Sequence, residues 1–206
     1  MDVSNAVPAR ICRGGSAEDL RSELLRSSYR SFLFTGHGDA LLEGAASPTL
    51  GFSGPTGGLE AVRADTLAEL LGQHTAASAG GELTLVFLNG CQTEDIGRKV
   101  AAAGVPYVVC WQTKVHDRAA RLLASSLFVA LSSGRSHEQA FEHAKSALKL
   151  ATRPGKLATG APSSVPLFDI RDPTVPLEGA AAFTPAPQAS GIPILLCETA
   201  PKHQCV

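Results

Sequence analysis

The sequence has no apolar run approaching the roughly 20 residues that a membrane-crossing helix needs, so a membrane span is not expected. Charge of one sign is also lacking: 18 Lys and Arg against 19 Asp and Glu leave a net −1, with the basic residues scattered. Nucleic acid and anionic lipid surfaces recognise concentrated positive charge, so neither is an expected partner. The five cysteines, Cys12, Cys91, Cys110, Cys197 and Cys205, are odd in number, with no CxxC pair and no ordered spacing to histidine. Neither a disulfide framework nor a zinc site fits that pattern; no metal is expected, and at least one thiol is free. The opening MDVSNAVPARICRGG lacks the apolar core of a secretory signal, which leads to the expectation of a reducing, cytoplasmic location. The stretch SGPTGG lacks the Lys-Ser/Thr and the helix start of a phosphate loop and reads as a turn. No cofactor is expected, and no internal repeat is visible.

What is present fits one domain with a real core, since 206 residues are too few for two well-packed domains and a linker. A short strand is expected at residues 9–12. Ser16 then caps a helix with Leu20, Leu24 and Leu25 on one face. Residues 31–35 (SFLFT) read as a buried strand stopping at Gly36-His37-Gly38, and small hairpins follow over residues 40–62. A helix opens at Asp65 or Thr66. Residues 83–88 (LTLVFL) form the strongest buried strand, ending at Asn89-Gly90-Cys91. A helix over 93–103, a strand over 105–110 (VPYVVC) and a long helix over 117–132 come next. Ser136, with Gln139 three places on, opens another helix as a capping box. Residues 165–170 (VPLFDI) read as a last strand, and beyond Asp172 the chain turns Pro-rich and Ala-rich around one apolar island, IPILLC at 192–197. Strands alternating with helices indicate the α/β class, with a mostly parallel sheet and helices on both faces.

In such sheets the loops beyond the carboxyl ends of the strands form the ligand crevice, and two of these loops are chemically loaded. One delivers His37 and the other Cys91. A thiol is mostly protonated at neutral pH and needs an imidazole beside it to act as a nucleophile. Glycine next to each residue lets a substrate carbonyl approach the backbone, so the N–H groups of Gly38 and Cys91 are candidates for an oxyanion hole. His37 precedes Cys91 by 54 positions (91 − 37), which fits the caspase order of histidine first and cysteine about 50 residues later.

FTGHG and LVFLNGCQT resemble the paired histidine and cysteine motifs of CHAT domains, which are relatives of the caspases. The block VPYVVCWQTKVHDRAARLLASSLFVALSSGRSHEQAFEHAKSAL is similar to the family's strand, Trp, Asp-Arg-Ala helix, Gly-Ser turn and Ala-rich helix. The resemblance covers about residues 31–170, with VPLFDIRDP as the family's closing strand. It implies a caspase-like three-layer sandwich with a core over 31–172. Residues 1–30 would lead into that core, and 173–206 would form a tail with one apolar segment. It further implies a cysteine endopeptidase acting on polypeptide through a Cys-His dyad and a thioester, with Cys91 as nucleophile, His37 as general acid and base, and Gly38 and Cys91 as oxyanion donors.

Asn89 would line the pocket for the residue before the cut. The strand ending at Cys110, with Trp111 and Gln112 after it, would carry the peptide as an added strand. A partner protein or an attached repeat domain would regulate the enzyme. The alternatives are a catalytically inactive CHAT-like peptide-binding scaffold and a different Cys-His hydrolase or acyltransferase on a similar sheet.

No acidic third member of a triad is evident, and self-cleavage after Cys91 is not expected because a helix follows at once. The family usually has a further strand and helix upstream. The 192–197 island could fill that gap, packing on this domain or on a neighbouring copy. The thiols of Cys12, Cys110 and Cys197 read as small apolar side chains, and His74, His116, His137 and His143 as surface residues. Trp111 fills either the core or the cleft.

Overall fold

The computed structural model describes residues 15–40, 49–54, 56–78, 80–175, 183–184 and 186–197. The strand expected at 9–12 lies outside them, as do Cys12 and Cys205. In chain order the elements are α1 (Ala17–Arg26), β1 (Ser31–Thr35), β2 (Leu50–Ser53), β3 (Leu59–Val62), α2 (Ala64–Gly72), β4 (Leu85–Asn89), α3 (Glu94–Ala102), β5 (Tyr107–Trp111), α4 (Asp117–Ser132), α5 (His137–Leu150), β6 (Thr152–Leu157), β7 (Pro162–Pro166), β8 (Phe168–Asp169), β9 (Phe183–Thr184), β10 (Gln188–Ala189) and β11 (Pro193–Cys197). Among the described residues, no helix is long and apolar enough to cross a membrane.

The central sheet has the order β1-β4-β5-β11. β1 pairs with β4 in parallel, and so does β4 with β5. Gln112, just past β5, donates its N–H to the carbonyl of Ile192, just before β11. β11 therefore leaves along β5 in the opposite direction. This mixed α/β fold with its mostly parallel central sheet is compatible with the caspase-like sandwich expected from the sequence.

Two compact units divide the described residues: one holds those from 15 to 111 together with 194–197, the other those within Gln112–Pro193. In the first unit, alternation along the strands sends Phe34, Val86, Leu88, Val108 and Cys110 to one face of the sheet. There they meet Leu24 of α1, Leu67, Ala68 and Leu71 of α2, and Ile96 and Val100 of α3. Each fully buried Leu, Ile or Val of this cluster contributes about 1.5–3 kcal/mol by leaving water. Leu85, Phe87, Val109 and Trp111, of opposite parity, are buried as well. A strand hidden on both faces reads as a continuous apolar run, which explains the pattern of LVFLN.

In the second unit α4 buries Ala120, Leu123 and Leu127, and α5 buries Ala140, Phe141, Ala144 and Leu148. Both sets recur at helical spacing. The Ser136–Gln139 capping box also forms.

Some expectations need correcting. Leu25 is 65% exposed, because α1 is only ten residues long and its narrow apolar face is occupied by Leu20 and Leu24. Residues 165–170 do not make the closing strand of the central sheet. Val165 pairs with Arg153 of β6, a strand hidden in the sequence by Pro154 and Gly155, and Phe168 and Asp169 pair with β10. The central sheet is closed instead by β11, so the 192–197 island packs on this domain's own sheet. His116, expected as a plain surface residue, caps α4 by accepting the Arg118 N–H on Nδ1 at 3.2 Å and sets its ring 5.5 Å from that of Phe168.

Burial on the helix-covered face pushes the Cys110 thiol up to about 12, with Glu94 adding to the rise and Arg98 opposing it. A thiol held protonated in the fold but ionised in the unfolded chain stabilises the protein below the unfolded value. That contribution is lost as pH rises from about 9 toward 12, by up to about 1.4 kcal/mol per unit. Denaturant midpoints measured at pH 8.5 and 10.5 are expected to fall accordingly, and the fall should be smaller in Cys110→Ala.

Candidate active site

The register of β1 against β4 sets Thr35 opposite Asn89. His37 and Cys91 each stand two residues beyond that last pair, so adjacent parallel strands release them at the same end of the sheet. The two turns then touch through their backbones. A Cβ built on Gly90 would lie 2.7 Å from the Gly36 carbonyl oxygen and 3.0 Å from the Gly38 nitrogen. One built on Gly38 would run into the Cys91 carbonyl oxygen and come within 2.5 Å of Thr93 Cγ2. No other residue fits at either point, and this is what the glycines flanking His37 and Cys91 do.

The histidine loop is also held from its far side. The His37 carbonyl accepts the Gly51 N–H of β2 at 2.9 Å, and Ala40 exchanges two backbone hydrogen bonds with Thr49. Gly38 is buried, whereas the His37 side chain is 77% exposed and Cys91 is half-buried as a free thiol. After Cys91 the backbone bends through Gln92 at φ +52°. This is a left-handed conformation that costs a residue with a Cβ roughly 1 kcal/mol, and it turns the chain into α3. Among the described residues, neither the Gly38 N–H nor the Cys91 N–H donates to a protein acceptor.

Beneath the turn lies a buried polar network. Trp111 Nε1 donates to Asn89 Oδ1 at 2.8 Å. Thr93 Oγ1 donates to the Leu88 carbonyl at 2.9 Å, has the Gly90 carbonyl at 3.3 Å, and accepts the Trp111 backbone N–H at 3.0 Å. Thr93 carries no signal in the sequence beyond its place as the helix cap two residues after the cysteine.

Asp39 was likewise not foreseen. Its Oδ1 stands 3.9 Å from His37 Nδ1, an exposed contact beyond hydrogen-bond length and worth little even when the imidazole is charged.

Three of the four residues expected to face a peptide are interior. Cys110 and Trp111 are fully buried and Asn89 is 5% exposed. Cys110 lies on the face covered by the helices and Trp111 is bonded to Asn89 beneath the turn. The backbone edges of β5 are also taken, by β4 on one side and β11 on the other, so no edge of β5 is open to an added strand. Only the Gln112 side chain is exposed; its N–H is taken by Ile192, whose own N–H goes to Thr113 Oγ1 at 3.1 Å. No cluster of three or more His, Cys, Asp or Glu able to hold a metal occurs among the described residues.

Comparison with protein families matches residues 5–187 to the CHAT domain, nearly the whole chain. The chain belongs to the CHAT domain family. The match begins ahead of the FTGHG motif and runs past the 31–170 stretch that carries the resemblance in the sequence, taking in the first part of the 173–206 segment, as far as residue 187. β9 lies within that extension and pairs with β6. CHAT is a caspase-like family, which agrees with the order of the histidine and cysteine turns here. No curated protein matches the chain.

Proposed function

We propose that this CHAT domain is a cysteine endopeptidase in which Cys91 and His37 form the dyad. The observation that carries the reading is the meeting of the two turns after β1 and β4, with Gly38 and Gly90 at the contact. It gives two candidate reactive side chains a common end of the sheet, beside two backbone N–H groups that have no protein acceptor among the described residues.

In the proposed reaction His37 takes the Cys91 proton and the thiolate adds to the scissile carbonyl of a polypeptide. The Gly38 and Cys91 N–H groups then hold the resulting oxyanion, a term of about 3–4 kcal/mol per donor in enzymes of this kind. Collapse expels the amine, which takes the proton from His37, and leaves a thioester on Cys91. Water, deprotonated by His37, hydrolyses the thioester. The cytoplasm is the compartment that would keep such a thiol reduced.

The test is covalent labelling by a peptidyl acyloxymethylketone library, read by intact mass and peptide mapping. One adduct is expected, on Cys91. It should be absent from Cys91→Ala and reduced at least about 100-fold in rate in His37→Ala. Cleavage of a peptide library by the wild type alone completes the case. Labelling that is indifferent to His37, or an unlabelled protein that still binds peptide, overturns it in favour of a scaffold.

A further inference from the structure

We infer that Thr93 is a positioning residue that locks the histidine loop to the cysteine turn. The inference rests on the dyad reading above and goes beyond it. Thr93 occupies the N-cap of α3, where a threonine hydroxyl ordinarily accepts an N–H from the first helical turn and stabilises the helix. Here it makes no such bond.

The fully buried hydroxyl is turned away from its own helix instead. It donates to the Leu88 carbonyl, near that of Gly90, and accepts the N–H of Trp111. One oxygen thereby ties the end of β4, the turn just ahead of Cys91 and the end of β5. The methyl of the same side chain faces the other loop, since a Cβ on Gly38 would come within 2.5 Å of Thr93 Cγ2.

Thr93 is thus the side chain that touches both turns, with its polar arm on the cysteine side and its apolar arm on the histidine side. A local rule of helix capping is broken here, and the place where it is broken adjoins the reactive residues. Displacing one turn by about 1 Å would cost a proton-transferring pair up to about 100-fold in rate.

The experiment separates positioning from plain stability. Cys91 alkylation by iodoacetamide is followed from pH 5 to 9 in the wild type, His37→Ala, Thr93→Val and Thr93→Ser, with the melting temperature of each recorded. Valine keeps the shape and removes the hydroxyl; serine keeps the hydroxyl and removes one methyl. If Thr93 positions the pair, the Thr93→Val profile falls onto that of His37→Ala, at least about 10-fold slower near pH 7. Thr93→Ser then stays within about threefold of wild type.

A Thr93→Val protein that melts lower but keeps the wild-type profile overturns the inference and leaves the dyad standing. Coincident wild-type and His37→Ala profiles sink the dyad reading, and the inference with it. Should Thr93→Val fail to fold, Thr93→Ala takes its place, with Thr93→Ser as the rescue by which the same outcomes are judged.

Discussion

Gly38→Ala is expected to lose labelling at Cys91 by about 100-fold and to destabilise the first unit by about 1–3 kcal/mol. The new methyl would be driven against the Cys91 carbonyl oxygen and Thr93 Cγ2, with the Gly90 carbonyl carbon 3.1 Å away. Two of these three atoms are backbone, so no rotamer change relieves the clash; the turns must separate. Gly90→Ala meets the Gly36 carbonyl oxygen and the Gly38 nitrogen from the opposite side and should behave alike. Gly58→Ala is the control. A Cβ there has nothing within 4 Å, and its stability should stay within about 0.5 kcal/mol of wild type. Chemical denaturation and the labelling rate check both effects. Wild-type labelling in Gly38→Ala would mean that contact between the turns is irrelevant to the chemistry.

Trp111→Ala is expected to cost about 3–5 kcal/mol of stability. The residue is the largest fully buried side chain of the molecule, and its indole N–H is bonded to Asn89. Trp111→Phe preserves much of the volume but removes that donor, and should cost about 1–3 kcal/mol. Both effects should register as lower denaturant midpoints. A cleft residue would behave differently, leaving the midpoint near wild type and changing only which peptides react.

The candidate site was legible in the sequence to the extent that it depends on local chemistry. FTGHG and LNGCQT follow apolar runs, and a reactive residue just after a buried strand is exposed at the carboxyl end of a parallel sheet whatever the rest of the fold does. The pairing of β1 with β4 brings the two motifs side by side through that same geometry. Trp111, Asn89 and Cys110 were not legible in this way. Their burial depends on what covers the faces of the sheet, and the free edge expected on β5 is taken by β11, from residues 193–197, more than 80 positions later in the chain.

Periodicity by itself determined the amphipathic helices α4 and α5 and the apolar strands β4 and β5, because a 3.6-residue or continuous apolar pattern can be buried in few ways; β1, read as a buried strand, instead lies at the sheet edge with only Phe34 buried and Leu33 41% exposed. The sequence also pointed to the candidate pair, since a thiol and an imidazole at matched strand ends are readable as chemistry before any contact is known. Only the tertiary structure decided that Gly38 and Gly90 meet, that Thr93 turns from its helix to join both turns, and that the peptide edge expected on β5 is closed by the chain's own β11. Each of these is a contact between segments far apart in sequence, and such contacts are selected by the packing of the whole sheet rather than by the residues beside them.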